Sequence, residues 1–198
     1  LTDSLLEFMK NYPKVKLNIY YKPMTELMDM LQQREVDFVL AFKPTRRYEH
    51  IESHVLFNNR LTVVVNRNHP LASHKSISLS ELERYDMALP AIGLQARNTF
   101  DVIRSNTDHN YNVRIELNDV SILLKLIRET NYATVLAETT IHDEDGLVGI
   151  PLDAGNDNME GCVHLLKNAY VKNSAREFYR LLSESNSIKK YSALADLI

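Results

Sequence analysis

Short, almost unbroken apolar runs at residues 36–42, 61–65, 133–137 and 163–166 constrain this chain more than any other feature. Runs of this length suit strands covered on both faces, the mark of a parallel sheet with helices on either side. Amphipathic helices lie between them. Residues 2–12 place Leu5, Leu6, Met9 and Tyr12 on one stripe, with Thr2, Asp3 or Ser4 able to cap the start and Pro13 to stop it. Residues 15–21 alternate, with Val15, Leu17, Ile19 and Tyr21 on one face, and read as a strand ended by Pro23. Thr25 then opens a helix over 26–34 that buries Leu27, Met30 and Leu31. Helix, strand, helix, strand with short links makes the fold class α/β.

The rhythm repeats further on. Ser78 and Glu81 form a possible capping box for a short helix ending at Arg84. Residues 87–90 read as a short buried strand, 97–105 as a helix, 111–117 as an alternating strand and 119–129 as an amphipathic helix. Residues 147–152 and 161–167 read as extended, and 174–185 as a closing helix with Phe178, Leu181 and Leu182 inward. Whether 187–198 form a further helix or a tail stays open. Two α/β units, each too small for a full sheet, predict two Rossmann-like lobes joined by crossover strands at 61–65 and 163–166. The expected division is lobe I at 1–65 and 165–198 and lobe II at 66–164. A bilobed α/β protein takes its ligand in the crevice at strand C-terminal ends.

Composition narrows the partners. The chain has 198 residues, 44% hydrophobic and 25% charged, ordinary for a globular protein and enough for a core without disulfides. Lys and Arg number 23 against 26 Asp and Glu, for a net charge of −3. A domain that grips phosphates carries a basic excess on one face, so these residues alone are expected to bind DNA poorly. Cys162 is the single cysteine and has no partner in the chain, which fits a reducing compartment. No apolar run approaches the roughly 20 residues that span a bilayer, and no signal peptide opens the chain. The expected location is the cytoplasm.

Metal and catalytic patterns are weak. His50 and His54 are four apart without a third ligand at a recognisable spacing. His142 stands in an acidic turn with Asp143, Glu144 and Asp145, and Cys162 and His164 share one face of an extended run. A lone cysteine in an apolar strand reads as core rather than nucleophile. With five glycines there is no phosphate-cradling loop. No metal, cofactor or catalytic group is expected.

Four stretches, in order and in register, resemble the effector-binding (substrate-binding) domain of LysR-type transcriptional regulators. They are Leu5-Leu6-Glu7-Phe8-Met9-Lys10-Asn11-Tyr12-Pro13-Lys14-Val15, the run from Leu27 to Leu40 with Asp37 before its buried strand, Leu61 to Ala72, and Ile77-Ser78-Leu79-Ser80-Glu81-Leu82. His69-Pro70-Leu71-Ala72 after an apolar strand is the most specific of these. The resemblance covers nearly the whole chain. It implies a periplasmic-binding-protein type II-like fold whose lobes hold a small metabolite and whose oligomers, dimers or tetramers, set the spacing of helix-turn-helix domains on DNA. Those DNA-binding domains are absent from this chain. The family's first strand and Ser/Thr loop are not among these residues, and its usual glycine-rich stretch reads here as Asn131 to Glu138.

By position, the resemblance lines the cleft with Met24 and Thr25 at a strand-to-helix turn and Lys43 after the strand ending at Phe42. From the second lobe it adds Ile92, Gly93, Leu94, Gln95 and Arg97, with Glu138 beneath. Helix starts and hydroxyl caps offer donors to an anion, so the expected effector is a polar or anionic metabolite. Thr25 can equally serve only as a cap, and Lys43, Arg46 and Arg47 as solvated loop charges. A second reading is an extracytoplasmic solute-binding protein of a transporter. A third is an enzyme on the same scaffold, for which no clustered acid–base set is present.

Overall fold

In a computed structural model of the chain, residues 2–105, 107–155 and 157–184 are described. The chain divides into two compact units, one of residues 1–58 with 160–198 and one of residues 59–159. Both crossings fall a few residues before the boundaries expected at 65 and 164. The possible helix or tail at 187–198 lies outside the described residues.

Unit 1 begins with helices α1 (Thr2–Asn11) and α2 (Met24–Gln32) and strands β1 (Val39–Phe42) and β2 (Ile51–Phe57). Unit 2 carries β3 (Leu61–Asn66), β4 (Ile77–Ser78), α3 (Leu79–Leu82), β5 (Met87–Pro90), α4 (Gln95–Arg104), β6 (Val113–Leu117), α5 (Val120–Glu129), β7 (Thr134–Ala137) and β8 (Leu147–Asp153). The chain returns to unit 1 with β9 (Gly161–Leu166) and α6 (Asn173–Glu184).

The sheet of unit 1 has the order β1-β9-β2, with β9 antiparallel to both neighbours. On one side Phe8 of α1 packs with Phe178, Leu181 and Leu182 of α6. The Phe8 and Phe178 rings meet edge to face at 5.2 Å, a favoured aromatic geometry. Met28 and Leu31 of α2 pack with Val39 and Ile51 in a second cluster. Residues 15–21, expected as a strand, have no regular secondary structure and pair with no strand among the described residues. Val15 and Leu17 lean on the Phe8 cluster, whereas Ile19, Tyr20 and Tyr21 are exposed. The alternation marks an inward face only at Val15 and Leu17, and a ladder also needs a neighbour at hydrogen-bonding distance. Strand β2 was not anticipated: four of its seven residues are exposed, so it lacks an apolar run.

Unit 2 is built on the order β4-β8-β3-β7, with β5 paired to β6 and bridged to β7 through Met87 and Ala133. All six residues of β3 are buried. Strand β3 runs antiparallel to β7 and β8, whereas β4–β8 and β5–β6 are parallel. The sheets are therefore mixed rather than wholly parallel. The strands running against their neighbours, β3 and β9, are those read as crossovers.

Local signals explain the connections. Ser78 caps α3 by accepting from the Glu81 amide at 3.3 Å, and Asp119 caps α5 by accepting from Ile122 at 3.0 Å. In the His-Pro-Leu-Ala stretch, the Leu71 amide donates to His69 Nδ1 at 3.1 Å, and Pro70 opens a one-turn 3-10 helix, Pro70–Ser73. His69 Nε2 donates to the Asn131 carbonyl at 3.1 Å. This histidine, 3% exposed, thus ties β3's exit to the turn before β7 through fixed backbone partners.

Candidate functional site

In unit 1, α2 starts at Met24, two residues earlier than expected. Its N-cap is Pro23, with φ −57° and ψ 151°, and there is no side-chain cap bond. Thr25 consequently sits inside the first turn as an exposed residue beside Met24, not as the cap. Proline's fixed φ suits this position, and it contributes no donor there. Lys22 pairs with Glu26 at 2.8 Å on the same exposed turn. Lys43 follows β1 and is held twice by Glu160, through its ammonium at 2.6 Å and its amide to the carbonyl at 2.7 Å. The Glu160 hydrogen bond raises the Lys43 pKa. Its charge is thereby matched within the unit. Arg46 lies over the Tyr48 ring at 4.4 Å. A shallow concavity of about 400 Å³ lies beside α2, lined by residues including Tyr20, Lys22, Glu26, Asp29 and Glu35. It includes none of the expected ligand residues and is mainly acidic.

In unit 2, the Met87–Ala133 bridge runs β5 parallel to β7. The loop after Pro90 and the turn after Ala137 therefore leave the same end of the sheet. The loop is pinned by Ala91 N–H donating to the Leu117 carbonyl at 2.7 Å and Leu94 N–H to Ala91 at 3.2 Å. Gly93 takes φ +98°, a backbone conformation L side chains rarely adopt, and Ile92 is 76% exposed. Leu94 is the N-cap of α4 and makes no side-chain cap hydrogen bond. Ile92, Gly93, Leu94 and Gln95 are thus brought together as one turn at the strand end, with Glu138 on the neighbouring strand's exit.

Arg97 is used differently from the expectation. Only 5% exposed, it sends Nε to both Asp101 oxygens at 3.0 and 2.9 Å. Its Nη1 reaches Glu116 at 2.7 Å and the Pro90 carbonyl at 3.2 Å. Arg104 also pairs with Asp101, at 2.8 Å. Two guanidiniums against two carboxylates make a balanced cluster beneath the loop. Its geometry makes Arg97 a positioning residue that fixes the end of β5.

The start of unit 2 carries polar contacts that no sequence motif marks. Asn59, 8% exposed, donates to Thr139 Oγ1 at 2.6 Å and accepts from the Arg60 amide at 2.9 Å. Its carbonyl accepts from Met159 at 2.8 Å. Arg60 bridges to Asn158, and its carbonyl accepts from the Glu138 amide at 3.0 Å. The only local signal was a polar pair ahead of an apolar run, which is commonplace.

His164, Cys162, His54 and His142 each have a partner within the fold. His164, wholly buried, accepts from Ser53 at Nδ1 and donates from Nε2 to the Ala41 carbonyl, at 2.7 and 3.3 Å. Burial lowers its pKa. Cys162 donates to the Glu160 carbonyl at 3.5 Å, and burial pushes its pKa up to about 11, so the thiol form dominates at neutral pH. His54 lies 3.3 Å from Glu52, and His142 2.9 Å from Asp143. Among the described residues no three His, Cys, Asp or Glu side chains gather as a metal site. Among the same residues no helix is long and apolar enough to cross a membrane.

Comparison with known proteins places this architecture. The regulatory domain of CcmR from Synechocystis, solved in complex with 2-PG, aligns with TM-score 0.82 at 19% identity, covering 92% of this chain and 88% of that one. The effector-binding domain of QuiR, solved with shikimate, aligns at 0.78 and 16% identity, covering 96% and 90%. Among sequences, GltC of Bacillus subtilis, a transcriptional dual regulator, is 22% identical over 177 residues, 88% of this chain and 59% of its own length. YvbU of the same organism, an HTH-type transcriptional regulator, is 33% identical over 81 residues, 41% of this chain and 27% of that protein. The chain thus matches less than two thirds of the length of these regulators. The two α/β units have the type II periplasmic-binding-protein-like fold, and the relatives are regulators rather than transporter components. The family model for the LysR substrate binding domain matches residues 1–187, and the chain belongs to that family.

Proposed function

We propose that this effector-binding domain takes a small polar metabolite carrying an anionic group, and that the bound state alters promoter binding by a helix-turn-helix domain outside these residues. The observation that carries this reading is the end of unit 2 where the Ile92–Gly93–Leu94–Gln95 turn opens α4 without a side-chain cap. First-turn amides and the helix dipole favour an anion there. The 2-PG and shikimate held by CcmR and QuiR are small polar ligands of this kind. Met24, Thr25 and Lys43 of unit 1 and Glu138 of unit 2 complete the proposed contact set, with Arg97 supporting the turn from below. The domain acts by binding rather than catalysis, in the cytoplasm.

Thermal shift and calorimetric titration across organic acids, amino acids and sugars test this reading. A saturable rise in melting temperature with at least one class is expected, with the metabolite recovered unchanged. A flat response to all classes would count against it. Homodimers or homotetramers are part of the same proposal, since Leu6 and Met9 on α1 are 63% and 59% exposed one helical turn apart. Sedimentation should show a dimer that Leu6→Glu dissociates; a wild-type monomer at high concentration would refute it.

A further inference from the structure

Arg60 and Glu138 stand opposite one another just past the end of the β3–β7 ladder. Leu61 and Ala137 are the final register pair, and the Glu138 amide then donates to the Arg60 carbonyl at 3.0 Å. After Ala137 the chain turns into a 3-10 helix, Glu138–Ile141, so Glu138 leaves the strand geometry that would set the two side chains face to face. No salt bridge forms between them, and neither side chain has an ion pair or hydrogen bond among the described residues. The neighbouring charges are already satisfied: Arg97 and Arg104 are matched by Asp101 and Glu116. One cation and one anion at neighbouring backbone positions are therefore left without a partner among the described residues, at the end of the sheet from which the proposed effector turn also leaves.

Their backbone is firmly held. Asn59 accepts from the Arg60 amide and grips Thr139, the residue after Glu138, while Arg60 also bridges to Asn158. A held backbone at both positions reduces the freedom lost when the two side chains meet a ligand that carries both complements. A guanidinium matches a carboxylate through two parallel hydrogen bonds. A carboxylate attracts an ammonium, more strongly once water is displaced.

We infer that Arg60 and Glu138 read a zwitterion, Arg60 taking the carboxylate of the effector and Glu138 its ammonium, which makes the effector an amino acid. This rests on the effector-binding reading above and narrows it from polar acids to those bearing an amine.

The test is calorimetric titration of the full 198-residue chain with matched pairs that differ at the amine: L-glutamate and 2-oxoglutarate, L-serine and D-glycerate, L-alanine and L-lactate. In at least one pair the amino acid should bind about tenfold tighter or more. Glu138→Gln should bring that ratio to about threefold or less with an unchanged melting temperature, because the side chain is exposed and unpaired. Arg60→Gln should weaken both members of the pair, since both carry the carboxylate. Tighter binding of the amine-free member overturns the inference, as does a preference that survives Glu138→Gln. Binding confined to other acids or sugars of the wider panel overturns it while leaving the effector reading intact. A flat response to the whole panel removes both.

Discussion

Replacing Arg97 by Met separates a structural guanidinium from a ligand contact. Met keeps much of the apolar stem but removes the bonds to Asp101, Glu116 and the Pro90 carbonyl. Charge-assisted hydrogen bonds contribute about 1.5–3 kcal/mol each when buried. Here the arginine side chain is 6% exposed, but Asp101 and Glu116 are 34% and 42% exposed and recover water once freed. That discounts the ion pairs to the scale of surface bridges, below about 1 kcal/mol each. The Pro90 carbonyl bond and the packing of the buried head remain, for a total loss of about 2–3 kcal/mol. For a chain of this length the melting temperature should fall by roughly 4–12 °C. Arg97→Lys keeps the charge without the fork and should lose roughly half as much. Glu116→Gln should cost less than about 1 kcal/mol. Scanning calorimetry on the three variants without ligand gives the answer. An Arg97→Met melting temperature within about 1 °C of wild type would refute the positioning role.

Two further outcomes follow from the packing. Burial lowers the pKa of His69 and His164 from 6.5, so their neutral rings favour the fold above pH 6.5. Below that value the unfolded chain takes up protons that the folded chain resists, and stability is lost as pH falls toward the folded pKa values. Each group contributes a slope of at most about 1.4 kcal/mol per pH unit. Urea titrations between pH 7 and 5 should show this decline, and His69→Gln should flatten it; equal slopes would remove the assignment. At Gly161, an added Cβ would overlap the Phe57 ring. Gly161→Ala should cost about 1–3 kcal/mol, and Phe57→Leu in the same chain should recover part of the loss. A neutral Gly161→Ala would show that the ring moves freely.

How much of this was legible in the sequence can be judged element by element. The apolar run around Val63, the Ser78 and Asp119 caps and the stripe of α5 each determine a local conformation, because strand burial, capping and helical periodicity need only near neighbours in the chain. The same local signals, in order, carried the family. Residues 15–21 show the limit: alternation specified neither a pairing partner nor the exposure of Ile19 and Tyr21, and β2 carries no local signal because its residues 52–55 are exposed and mostly polar. The site was less legible still. Arg97 read as a ligand cation until Asp101, Glu116 and Pro90 converged on it, the last two from strands brought together by the sheet. Arg60 and Glu138 are 78 residues apart and acquire a joint meaning only where β3 and β7 end together. Local sequence thus determined which segments become strands and helices and which faces turn inward. Which charges neutralise one another and which stay available for a ligand was decided by tertiary structure, because electrostatic pairing depends on distance in space, and that distance is set by sheet order and register.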